Sequence, residues 1–170
     1  MSEKEVSKTE SIEERKLKVD KVLLETEINR IESSFKEDLI LVEEALKKVE
    51  ESKRITIGVP YKIEVKDGER RPTWIVAYAL FIEKRDQYVK YLKNLSKIIK
   101  EAEKKGLNDT VNKALALSET ISETLSKIIN LLEKYHNEIL REEYMRLYEV
   151  FGDELEEAKK YLEEPEKERA

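Results

Sequence analysis

The chain reads as predominantly all-α: an elongated antiparallel three-helix bundle or coiled coil, with a short C-terminal helix and a small two-stranded β insert at one end. Three observations predict it. Charged residues make up 42% of the 170, against roughly 25% in an average soluble protein, while Gly and Pro number only four and three. Apolar residues recur in alternating steps of three and four along three long stretches. Residues 54–82 break that pattern and hold two of the glycines, two of the prolines and the only Trp.

The first helix is marked by Ser11 and Glu14, spaced as a capping box. Its seam runs Leu24, Ile28, Ile31, Phe35, Leu39, Val42, Leu46, Val49. That gives about 40 residues, roughly 60 Å at 1.5 Å per residue. In the insert, Ile55, Ile57, Tyr61, Ile63 and Val65 alternate with polar or small residues, and Asp67-Gly68 is a turn signal. Unbroken spacing from Trp74 through Tyr78, Phe81, Arg85, Tyr88, Leu92, Leu95, Ile99 and Ala102, with Pro72 at a tolerated helix start, places residues 73–82 on the second helix. The insert is thereby limited to about 54–72. The alternative is a hairpin pairing Thr73–Ile82 with Tyr61–Val65.

Gly106 suits a left-handed helix end and Asn108 a following N-cap, so the second and third helices form an antiparallel hairpin. The third seam runs Leu107, Val111, Ala114, Ser118, Ile121, Leu125, Ile128, Leu132, Tyr135. A later series, Leu140, Tyr144, Leu147, Phe151, is out of phase with it, which predicts a bend near His136. Gly152 offers a stop, and Asp153 with Glu156 a new start for a final helix to about Glu163. Residues 1–10 and the acidic stretch 164–170 read as disordered ends of a single domain over 11–163.

Composition bounds the chemistry. There is no Cys, one Gln and one His, with abundant Lys and Glu, a pattern expected of a thermophilic, archaeal or archaeal-virus source. The longest uncharged run, residues 72–82, is too short to cross a bilayer, and the N-terminus lacks signal-peptide character, so a cytoplasmic location is expected. No nucleophile elbow, P-loop or dinucleotide fingerprint occurs, and no cofactor is implied. Glu133 and His136 have the spacing of one di-iron half-site, but a single His leaves the pattern incomplete.

Charge is uneven. Residues 54–105 carry 13 basic and 7 acidic groups, between arms with 11 against 15 and 9 against 16. A basic centre either meets a polyanion or pairs with its own acidic arms, and the second is the simpler reading. All but one of the twelve aromatic residues lie within 61–91 or 135–161, Phe35 being the exception, which predicts a bundle with an aromatic, β-containing head. The candidate surface is Arg54, Tyr61, Lys62, Lys66, Arg70, Arg71 and Trp74. The expected role is a non-enzymatic interaction or assembly protein, acting on a protein partner or on itself as a homodimer. The alternative is nucleic-acid binding through the basic middle, 53–105.

Overall fold

The computed structural model describes residues 11–168, with side chains through Tyr161; the disorder expected for residues 1–10 lies outside it. The elements are α1 (Ile12–Ser52), β1 (Gly58–Lys66), β2 (Glu69–Val76), α2 (Ala77–Lys104), α3 (Asn108–Lys134) and α4 (His136–Glu168). The fold is predominantly α with a small antiparallel β insert, as the periodicity predicts.

Helix α1 starts where Ser11 Oγ accepts from the Glu14 N–H at 3.1 Å, removing one of the unpaired first-turn donors. It ends at Lys53, in the left-handed region at φ 54. The first turn of α2 is tied back to the connecting loop, because Ala77 N–H donates to Ile57 O at 2.8 Å and Tyr78 N–H to Ile55 O at 3.2 Å. Helices α2 and α3 join through Gly106 at φ 69, with Leu107 N–H reaching Ala102 O and Gly106 N–H reaching Glu103 O. Those two bonds satisfy the last carbonyls of α2 and need a residue that tolerates positive φ. Asn108 is the first residue of α3 rather than its cap, and no side chain caps that end.

The core lies among α1, α2 and α3. Ile28, Phe35, Val42 and Val49 face Tyr78, Phe81, Tyr88 and Leu95, with Ile121 and Ile128 closing the third side. Phe35 meets Tyr88 edge-on at 5.1 Å between ring centroids, a geometry worth roughly 0.5–1.5 kcal/mol beyond burial. Phe35, Tyr88 and Tyr91, linked ring to ring through Tyr88, sit along the bundle, so the aromatics are not all gathered at the head.

The insert and the seam of α2 also need correction. Residues 73–76 are strand, not helix: Asp67 and Gly68, at φ 53 and 78, form a two-residue turn that pairs Lys66 with Glu69 and carries the register on to Gly58 with Val76. Both turn residues at positive φ match the twist of the ribbon, so the local turn overrides the helical spacing of Trp74. Pro72 sits opposite Ile63, tolerated because a two-stranded ribbon has only edges. The expected positions Tyr78, Phe81, Tyr88, Leu95 and Ala102 are buried, but the inward residue between Phe81 and Tyr88 is Lys84, not Arg85, and Tyr91 and Ile98 are buried where Leu92 and Ile99 are only partly so. Helix α2 packs on both α1 and α3, so a second seam, one residue away, is buried beside the expected one.

The bend near His136 is present as a break at Tyr135, where φ −105 and ψ 21 end α3. The stop expected at Gly152 is a bend at Phe151, with φ −125 and ψ 29, and the helical backbone continues to Glu168, past the expected end. Pro165 removes one intrahelical bond without ending that last turn. The side chains of the acidic stretch 164–170 lie outside the described residues.

Candidate interaction surface

The structure separates the seven residues singled out in the sequence. Arg54 belongs to the head, 3.8 Å from Glu138. The others lie on the hairpin, whose cross-strand partners share a face. One face carries Lys66 opposite Glu69, Glu64 opposite Arg71 and Lys62 opposite Thr73. Arg71 is bonded to Glu69 at 2.9 Å, so acids interrupt this basic face. Arg70, Pro72 and Trp74 share the other face with Ile63 and Val65. Trp74 is 62% exposed, with Lys48 of α1 over its ring at 5.3 Å. Tyr61, at a bulge, donates to Glu83 at 2.7 Å, and that bond raises its pKa.

An open groove of about 1070 Å³ lies between the hairpin and helices α1 and α2. Lys84, almost fully buried, forms its floor, 3.1 Å from Asp38 and donating to Gln87 at 3.1 Å. Gln87 donates in turn to Tyr91, whose hydroxyl is 2.7 Å from Ser34. The network ties α1 to α2.

Lys84–Asp38, Lys105–Asp20 and Arg54–Glu138 are ion pairs between elements, and each joins a base of residues 54–105 to an acid of an outer arm. The basic centre is thus engaged in part with the molecule's own acidic arms.

Helix α4 differs from the rest. Glu138 accepts from the Ile55 N–H at 3.1 Å and from the Thr56 hydroxyl at 2.8 Å. Ile139 packs on the core, and the Arg146 guanidinium lies over the Tyr78 ring at 5.7 Å. Burial pushes the Tyr78 hydroxyl's pKa up, and the Glu143 carboxylate adds to the shift. Beyond these contacts α4 leaves the bundle, and none of its described side chains is fully buried. At about 100° per residue, Leu140, Tyr144, Leu147 and Phe151 form one stripe on the side turned away from Ile139 and Arg146. All four are 41–54% exposed.

The bend at Phe151 folds the two arms of α4 towards each other. Lys159 Nζ lies 5.3 Å from the Tyr144 ring centroid and Tyr148 donates to Glu156 at 2.7 Å, whereas fifteen residues of straight helix span about 22 Å. Those contacts raise the pKa of Tyr148, through Glu156, and of Lys159, through Tyr144. The result is an elbow with an apolar stripe. The stripe was visible in the sequence; its exposure was not. Glu138 gave no sequence signal, since its partners lie 82 and 83 residues away.

Glu133 and His136 line a small cleft with Arg85, and among the described residues no group of three His, Cys, Asp or Glu is placed to hold a metal. None of the described helices is long and apolar enough to cross a membrane. Comparison with protein-family models, with curated proteins and with solved structures gave no match to this chain.

Proposed function

We propose that this is a non-enzymatic, intracellular association protein of a thermophile, with the three-helix bundle as scaffold and the α4 elbow as its principal binding element. The observation that supports the reading is the exposed stripe Leu140, Tyr144, Leu147, Phe151 on a helix tied to the bundle through Glu138, Ile139 and Arg146. Four large apolar side chains in heptad steps on one face are what a helix presents to another helix. The exposed hairpin face with Ile63, Val65 and Trp74 is a second apolar surface at the same head.

Gel filtration of a cell extract tests this. The wild-type chain is expected to elute well above its 20.1 kDa monomer mass, and Leu147→Glu to shift it down. Wild type and variant both eluting as monomer contradicts the proposal.

A second reading, nucleic-acid binding, rests on Trp74 exposed beside Lys48 on the hairpin face that carries Arg70. It predicts binding to labelled single strands that weakens steeply with salt and is reduced by Arg70→Ala. Absence of binding at low salt removes it.

A further inference from the structure

Among the described residues, the tail of the bundle carries a second stripe that nothing covers. Lys105 in the α2–α3 turn bonds Asp20 at 3.0 Å, which fixes the level of that turn on α1. Residues 12–19 therefore extend about 12 Å past it. On this stretch and the turn of helix that follows it, Ile12, Val19 and Leu23 are all more than half exposed. At about 100° per residue they are centred about 130° around the helix from the buried seam of Ile28, Ile31 and Phe35. The core explains nothing about them.

The two stripes match in length and charge. Ile12 to Leu23 and Leu140 to Phe151 each span eleven residue steps, about 16 Å. Residues 12–23 carry four basic and three acidic groups, a net of plus 1, and Arg15 and Lys16 border the apolar stripe. Residues 140–151 carry two basic and three acidic groups, a net of minus 1. Pairing α4 with another α4 brings two net-negative helices together, whereas pairing it with the start of α1 brings opposite signs together.

We infer that the α4 elbow of one molecule takes the N-terminal overhang of α1 from a second copy of this chain, in a head-to-tail contact. The two surfaces are different and lie at opposite ends of the bundle, so each molecule that docks leaves one of each free, and the assembly grows as a chain rather than closing as a two-fold dimer. This inference rests on the reading of α4 as a binding element and adds the identity of its occupant.

Light scattering across a wide concentration series tests it, with Leu147→Glu blocking one surface and Val19→Glu the other. Wild-type mass is expected to rise with concentration beyond a dimer. Each variant alone is expected to stay at 20.1 kDa. Mixed in equal amounts, the two variants retain one intact surface each and are expected to give twice the monomer mass and nothing larger. A mixture that stays monomeric overturns the inference. So does a Val19→Glu variant that assembles like wild type, which assigns α4 to itself. A wild type that is monomeric throughout overturns it too, while leaving α4 as a surface for a different protein. Leu140→Glu and Leu23→Glu repeat the test should either first variant lose its helical circular dichroism.

Discussion

Glu138 and Thr56 lie 82 residues apart in the chain, yet the Thr56 hydroxyl donates to the Glu138 carboxylate at 2.8 Å. The other carboxylate oxygen takes the Ile55 N–H at 3.1 Å. The carbonyl of that same Ile55 accepts from Tyr78, at the start of α2. One carboxylate therefore links α4 to the loop that starts α2, and so sets where the elbow stands on the bundle.

Removing it is expected to loosen the head. Glu138→Ala leaves the Ile55 N–H and the Thr56 hydroxyl short of a charged acceptor, at a cost of about 2–3 kcal/mol, and Glu138→Gln, which keeps one acceptor, costs about half of that. Urea unfolding gives both values. Amide exchange at residues 55–57 is expected to quicken in the alanine variant.

Lys84 predicts a contrast between breaking a buried pair and replacing it. Lys84→Ala leaves Asp38 facing a vacated site and is expected to destabilise by about 3 kcal/mol, near the lower end for buried pairs because Asp38 retains some solvent. The double change Lys84→Met with Asp38→Leu is expected to be near neutral. A double-mutant cycle by denaturant unfolding measures the coupling.

The Tyr88 hydroxyl is buried with no hydrogen-bond partner among the described residues, and burial pushes its pKa up, with Asp38 adding to the effect. A tyrosine whose folded pKa exceeds its unfolded one contributes stability that is complete below the ordinary tyrosine range near 10 and is lost as pH rises beyond it, because the unfolded chain gives up its proton first. Tyr78 shifts in the same direction. Stability is therefore expected to fall at alkaline pH. Tyr88→Phe is expected to be neutral or stabilising by about 1 kcal/mol and to make that fall shallower. Unfolding measured as a function of pH for the two proteins checks it.

Gly106, at φ 69, has no atom within 4 Å of an added Cβ, so a substitution there meets backbone strain alone. Gly106→Ala is expected to cost about 1 kcal/mol and Gly106→Asn less, since Asn tolerates the left-handed region. Thermal unfolding orders the three proteins.

The bundle helices were legible because each of α1, α2 and α3 buries one face, and burial at Ile28, Phe35, Tyr88, Leu95, Ile121 and Ile128 is what produces the three-and-four spacing. The end of the insert was not, because the four-three spacing at Trp74 and Tyr78 coincides with a strand that a two-residue turn fixes by register. Lys84 was missed because a charged side chain in a seam reads as its outer edge, and only the position of Asp38 on α1 reveals it as a buried partner. The candidate surface was half legible. The hairpin residues were found, but the pairing of Glu64 and Glu69 across from Arg71 and Lys66 is a matter of register. The stripe on α4 looked like one more core seam, since exposure depends on what the rest of the chain leaves uncovered.

The most direct test of the central claim, that the α4 stripe binds protein, is site-specific photo-cross-linking from position 147 in living cells, with Glu149, the exposed polar residue two positions along the helix, as the control site. The account predicts discrete protein adducts from position 147 that are absent from position 149 and from a chain that also carries Phe151→Glu. Equal and diffuse labelling from both positions would contradict it.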